Sequence, residues 1–278
     1  MPRRAVPGGQ MSFVDEGAGT PVVLVHGTPS SSREWRHVTA DLARDHRVLA
    51  PDHLGFGDST RPVDWRVYSF GWHTANLRAW LEQLALPRLH LVVHDVGGPV
   101  ALPLALEAPE RLLSLTIVQS WLWDLGAGAM LDNPVMRWLY LSAGFSARAM
   151  VRLAWGRRTP LTRELHQEFT SQFPDRAARA GTWGFARSVA REGAMLEEHE
   201  RHLSKLAAVP LLLVWGKADR VVPPAHLERW KKHFPAAQVT ALDDVGHFPQ
   251  IEAPVDVSAA LRRRFASSTS RPASPTAS

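Results

Sequence analysis

Six short runs rich in Val and Leu, at 21–25, 47–50, 89–94, 112–118, 211–215 and 238–242, alternate with stretches of helical periodicity. That alternation confines the chain to an α/β fold, a mainly parallel sheet covered by helices. Leu89-His90-Leu91-Val92-Val93 and Leu211-Leu212-Leu213-Val214-Trp215 are continuous rather than alternating, as expected of parallel strands buried on both faces. Between them lies helical sequence. Leu77, Trp80, Leu81 and Leu84 fall at i, i+3, i+4 and i+7, one apolar stripe that Pro87 ends before the next strand.

The rhythm breaks between Ser120 and Val209, where helical patterns occur without a convincing strand. A chain of 278 residues is long for one core, and an insertion into a single α/β domain accounts for the excess. The reading is a core at 11–120 and 208–266, a helical cap at 121–207, and a disordered tail at 267–278 rich in Ser, Thr, Pro and Ala. Helices are expected near 134–144, 147–155, 162–173 and 178–203. The insertion carries Trp121, Trp123, Trp138, Trp155 and Trp183. An aromatic helical lid makes a dry pocket, although core packing is the commoner fate of any one tryptophan.

Composition narrows the function classes. The formal charge of +5 comes from scattered arginines with no basic stripe, which argues against nucleic acid. The absence of cysteine excludes a disulfide framework, a thiol nucleophile and any Cys-ligated metal site. No run approaches the ~20 apolar residues of a membrane helix. Arg3 and Arg4 have no apolar segment behind them and read as a frayed terminus rather than an export signal. The expectation is a soluble, cytoplasmic protein with no membrane partner.

The chemistry concentrates at Leu91-Val92-Val93-His94-Asp95-Val96-Gly97-Gly98-Pro99. An apolar strand running into glycines and a helix has the layout of a nucleophile elbow, whose turn exposes the central side chain above the sheet. Here that side chain is Asp95, and no Gly-x-Ser-x-Gly occurs in the chain. The plainer alternative is an aspartate capping the following helix. Pro103, inside that helix, has no functional reading. Three further segments follow strand ends: His26-Gly27-Thr28-Pro29, Asp219 after Val214-Trp215-Gly216-Lys217-Ala218, and His247 in Asp244-Val245-Gly246-His247-Phe248. Catalytic groups of open α/β sheets gather beyond the carboxyl ends of strands, so these segments can meet in one crevice.

From about Phe13 to Phe265 the chain resembles the α/β-hydrolase superfamily, particularly its haloalkane dehalogenase and epoxide hydrolase branch. The likeness rests on His26-Gly27-Thr28-Pro29, Pro51-Asp52-His53-Leu54-Gly55-Phe56-Gly57-Asp58-Ser59 and His94-Asp95-Val96-Gly97-Gly98, and on the order nucleophile, acid, histidine. It implies an α/β-hydrolase fold with a mainly parallel eight-stranded sheet and an inserted helical cap. It further implies Asp95 as nucleophile, His247 as general base and Asp219 as the acid that orients it. The backbone amides of Thr28 and Val96 would then stabilise the oxyanion.

An aspartate is already ionised near neutral pH and attacks without losing a proton. Its natural target is a saturated carbon bearing a leaving group, which gives an alkyl-enzyme ester. His247 then activates water against that ester. Carbon–halogen bonds and epoxides both fit, with a small apolar organic molecule and water as partners and no cofactor or metal. Dehalogenases of the family usually hold the halide with a Trp after the nucleophile and an Asn in the His-Gly motif. This chain has Val96 and Thr28 there, so Trp121, Trp123 or a lid tryptophan is the candidate donor. Epoxide hydrolases of the family generally use two lid tyrosines, and only Tyr68 and Tyr140 exist here, with Tyr140 alone in the insertion. Val96, where fluoroacetate dehalogenases have arginine, makes haloacids the least favoured substrates. A ligand-binding protein without turnover is the alternative from another class. His26 and His94 read as loop-ordering groups, Asp52 and Asp58 as turn formers, Asp243 and Asp244 as solvated loop residues, and Asp124 as a rival to Asp219.

Overall fold

The computed structural model describes residues 1–269. Its strands are β1 (Arg3–Val6), β2 (Gly9–Glu16), β3 (Thr20–Val25), β4 (His46–Pro51), β5 (Leu89–His94), β6 (Leu112–Val118), β7 (Leu211–Gly216) and β8 (Gln238–Leu242). They form one sheet in the order β1-β2-β4-β3-β5-β6-β7-β8. Pairing is parallel from β4 to β8 and antiparallel at β1–β2 and β2–β4. The six apolar runs are β3 to β8. The edge hairpin β1–β2 is additional, so the sheet starts at Arg3 rather than at residue 11, and the basic terminus is not frayed. β1 is short and exposed. Main-chain pairing from Arg3↔Ser12 to Val6↔Gly9 holds it, and that leaves no apolar signature to read.

The helices are α1 (Arg36–Leu42), α2 (Phe70–Leu84), α3 (Gly97–Glu107), α4 (Gly128–Leu131), α5 (Pro134–Trp138), α6 (Val151–Ala154), α7 (Arg163–Thr170), α8 (Ala180–Arg191), α9 (Gly193–Arg201), α10 (Pro224–His233), α11 (Pro249–Glu252) and α12 (Pro254–Thr269). Val22, Leu24, Val92 and Val214 pack with α1 and α12 on one face of the sheet. Their neighbours Val23, Val25, Val93 and Leu213 pack with α2, α3 and α10 on the other. Both faces are therefore dry, which is why these strands read as unbroken apolar runs. Each buried Val or Leu contributes about 1.5–3 kcal/mol relative to exposure. Ser69 caps α2 by accepting from the Trp72 amide at 3.0 Å, and Ala85 ends it with φ 48°. Pro103 lies buried inside α3; one turn earlier the Thr74 hydroxyl donates to the Val100 carbonyl at 2.8 Å.

Helices α4 to α9 fill the stretch between β6 and β7. The helical stretch expected at 178–203 is two helices broken at Glu192, and Gly193, which opens the second, runs so close to Asp124 that a Cβ would lie 2.5 Å from its carboxyl carbon. The segment from Pro134 widens into i→i+5 turns at Leu139–Ala143 and stops at Gly144, whose φ is 67°. The tail expectation is corrected at its start. α12 runs to Thr269, with the Ser267 hydroxyl donating to the Arg263 carbonyl at 3.1 Å; residues 270–278, also expected to be disordered, lie outside the described residues. Among the described residues no helix is long and apolar enough to cross a membrane.

Candidate active site

At the end of β5 the chain turns sharply into α3, and Asp95 occupies the turn with φ 49°. That left-handed conformation costs a non-glycine residue about 1–3 kcal/mol. The turn is possible because Gly97 passes close to the strand: a Cβ there would lie 2.7 Å from the Val25 carbonyl oxygen and 2.9 Å from that of His26. The Asp95 side chain does not cap α3. Its Oδ2 accepts from the Thr28 amide at 2.8 Å, across the crevice from the end of β3. Val96 is the N-cap residue of α3, and amides at a helix N-terminus lack partners within the helix.

His247 sits between two carboxylates. Its Nε2 lies 3.5 Å from Asp95 Oδ1, and its Nδ1 donates to Asp219 Oδ2 at 2.7 Å. Asp219 follows β7 and is held from behind, accepting from the Val221 amide at 2.7 Å and from the Gln119 side-chain amide. Gln119, at the end of β6 with φ 41°, also accepts from the Gly216 amide at 2.9 Å. The loop carrying His247 is fixed by the cap as well as the core. The His247 amide donates to the Ala154 carbonyl at 2.8 Å, and Glu252 Oε2 accepts from Gly156 and Gly246 amides, both at 2.9 Å. Its Oε1 accepts from the Phe248 amide at 3.1 Å.

Asp95, Asp219 and His247 are all buried, each about 3% exposed, so their charges act on one another with little screening. Burial alone would push His247 down, but Asp219 and then Asp95 overcome it and raise the imidazole well above its ordinary value. Burial likewise works against both carboxylates, yet His247 holds Asp95 and Asp219 below the usual range. The imidazole and the two carboxylates on either side of it thus each favour the charged form of the other.

A family profile for the alpha/beta hydrolase fold matches residues 20–254. The chain belongs to the α/β-hydrolase family. It is 31% identical over 257 residues to a cis-3-alkyl-4-alkyloxetan-2-one decarboxylase of Shewanella oneidensis, covering 87% of this chain and 80% of the relative. It is 28% identical over 265 residues to haloalkane dehalogenase 2 of Mycobacterium tuberculosis, covering 92% of each. The crystal structure of an ancestral haloalkane dehalogenase superposes with a TM-score of 0.84 at 23% identity, over 98% of this chain and 100% of the other. Within the α/β-hydrolase family the chain is thus similar both to named haloalkane dehalogenases and to a named decarboxylase.

As in other α/β sheets, the candidate site lies where the strand ends face the inserted helices, and here it opens into a cavity of about 470 Å³. Its floor includes Thr28, Asp95, Val96 and His247; its apolar walls include Leu125, Leu131, Val151 and Phe185. Two of the three pocket residues expected from the sequence line it. The Trp121 indole is buried with no hydrogen-bond partner for its N–H among the described residues. Tyr140 is also in the wall, its phenol raised by burial and by the Asp95 charge. Trp123 is the correction: it packs on Trp230, and its N–H donates to His226 Nδ1 at 2.9 Å, so it does not line the cavity. No lid tryptophan among 138, 155 and 183 lines it either. Tyr68 lies outside, donating to the Pro62 carbonyl at 2.8 Å.

Asp124 is exposed and accepts from the Gly126 amide at 2.8 Å, so Asp219 and not Asp124 faces His247. The structural readings of the other polar groups hold. His26 Nε2 accepts from the His53 amide at 2.9 Å, His94 reaches the His247 carbonyl at 2.8 Å and Glu34 at 2.9 Å, and Asp52 accepts from Ser32 and Asp58 amides. Sequence reasoning missed Gln119 and Glu252. Neither sits in a motif; the one available signal was their position, directly after β6 and five residues after His247.

Proposed function

We propose that the protein hydrolyses a carbon–halogen bond in a small apolar substrate through an alkyl ester on Asp95. An Asp95 oxygen bonds to the saturated carbon as the carbon–halogen bond breaks and its electron pair leaves with the halide. Water then attacks the Asp95 carboxyl carbon, giving its proton to His247, while the oxyanion is met by the Thr28 and Val96 amides. Collapse releases the alkoxide, which takes the proton held by His247 to become the alcohol, and the water's second proton leaves to solvent as the Asp95 carboxylate is restored. The observation that carries this reading is a carboxylate at a nucleophile turn, with Oδ2 on the Thr28 amide and Oδ1 toward His247, in an apolar cavity. Trp121 supports a halide as leaving group, because its buried indole N–H is unpartnered in the wall.

Tyr140 favours a second reading, in which the leaving group is the oxygen of a strained ring such as an epoxide and the phenol gives it a proton. The name of the Shewanella relative, which contains an alkyloxetan-2-one, also describes a strained oxygen ring. Intact-protein mass spectrometry of His247→Phe, after exposure to bromoalkanes and separately to epoxides, separates the readings because the second step is blocked. The expected result is a gain equal to the alkyl group without bromine. A gain of the whole epoxide alone selects the second reading. Asp95→Asn forms no adduct, and an adduct of unchanged yield on that variant removes Asp95 from the scheme.

A further inference from the structure

The cavity is lined by one residue that the two-step chemistry does not use and that the apolar walls do not explain. Arg220 follows Asp219 and contributes to the lining beside Val221, Pro223 and His226. It is exposed, and it makes no ion pair or side-chain hydrogen bond among the described residues. Of the described lining residues it is the one arginine or lysine, and Asp95 is the one carboxylate. Its loop is not loose, since the next amide, that of Val221, donates to Asp219 Oδ1 at 2.7 Å.

Its neighbour His226 adds a directed donor. Trp123 donates to His226 Nδ1 at 2.9 Å and stacks on the ring with planes 11° apart. Nδ1 is thereby an acceptor, and the ring's remaining proton belongs on Nε2. Burial and then Arg229 hold His226 below its ordinary value, which keeps the neutral ring. The lining thus offers a guanidinium and a neutral imidazole, with the buried carboxylate of Asp219 close enough to act on His226.

Resting on the reading of this cavity as the substrate site, we propose that besides small apolar molecules it takes amphipathic ones. An apolar chain presents the reacting carbon to Asp95, while a terminal carboxylate at its far end is bound by Arg220 and His226. A guanidinium suits that head group because it offers paired parallel N–H donors to the two oxygens. The inference concerns only a carboxylate remote from the reacting carbon. A haloacid with both on adjacent carbons gains nothing from an arginine at the mouth, so the preference should appear only above a threshold chain length.

The test separates binding from reaction. Calorimetric titration with decanoate and decanamide reads recognition without any chemistry. The parent is expected to bind the anion about tenfold more tightly, as for a partly exposed charge-assisted pair, with the ratio falling as salt is raised. Arg220→Gln brings the ratio near one, and Arg220→Lys retains part of it. An unchanged ratio in Arg220→Gln, or equal binding of acid and amide by the parent, overturns the inference. Bromide release from ω-bromo acids and bromoalkanes of increasing length is measured in parallel. Release from both classes with no advantage for the longer acids also overturns the inference. A decanoate preference lost in Arg220→Gln sustains it even where no bromide appears, and in that case the proposed reaction fails.

Discussion

The charge on Asp95 bears directly on His247, the residue that acts after it in the proposed scheme. His247 is raised by two carboxylates, Asp219 first and Asp95 second. In that scheme, forming the ester turns Asp95 neutral, so the histidine loses one anionic neighbour at the step where it has to accept a proton. The remaining shift rests on Asp219, which yields a prediction with a definite sign. Hydrolysis of the ester slows as pH falls through the pKa of His247, because only the unprotonated ring is a base. Asp219→Asn removes a group that raises that pKa, so the acid limb moves to lower pH. The plateau falls on the order of 10³–10⁴-fold as the ring loses its tautomer and orientation. Single-turnover decay of the ester across pH checks both parts; a lower plateau with an unmoved limb would leave Asp219 an orienting role alone.

The elements β5 and α3 meet so closely that one methyl group decides whether the turn can form. In Gly97→Ala the new Cβ presses on the backbone carbonyls of Val25 and His26, which cannot swing aside as a side chain can. A loss of about 1–3 kcal/mol is expected, read as a lower midpoint in urea, with activity falling further because the Asp95 turn moves. Elements of this kind were legible in the sequence. The strands β3 to β7 announce themselves because their inner residues are dry on both faces, while β8 is a mostly exposed edge strand that shows only as a short run; Asp95, Asp219 and His247 are legible because each follows one of these strands in a short motif. The edge hairpin β1–β2 was not legible, since β1 is mostly exposed and the hairpin's apolar contributions to the core, among them Val6, Met11 and Phe13, are too few to make a run. Trp121 and Trp123 could not be told apart either. They stand two residues apart after β6, and the path of the backbone from Gln119 onward decides which indole reaches the cavity and which is spent on His226. Gln119 and Glu252 were invisible for a related reason, because a positioning group needs only a polar atom at the right place.

For the whole molecule the decisive link is Glu252, whose two oxygens join the cap at Gly156 to the His247 loop at Gly246 and Phe248. Glu252→Gln keeps the shape but turns one acceptor into a donor facing amide donors. A loss of about 1–3 kcal/mol follows, a fall in Tm of roughly 2–4 °C for each kcal/mol in a chain of this size. Hydrogen exchange at the Gly156 and Phe248 amides should rise together; a rise at one without the other would show that the link is not shared. The direct bond from the His247 amide to the Ala154 carbonyl has the same geometry of dependence. A cap tied to the His247 loop on one side cannot rise there without dragging the imidazole from Asp95. Exchange of a bound molecule therefore has to leave the bonds from Ala154 and Gly156 to the His247 loop and Glu252 in place.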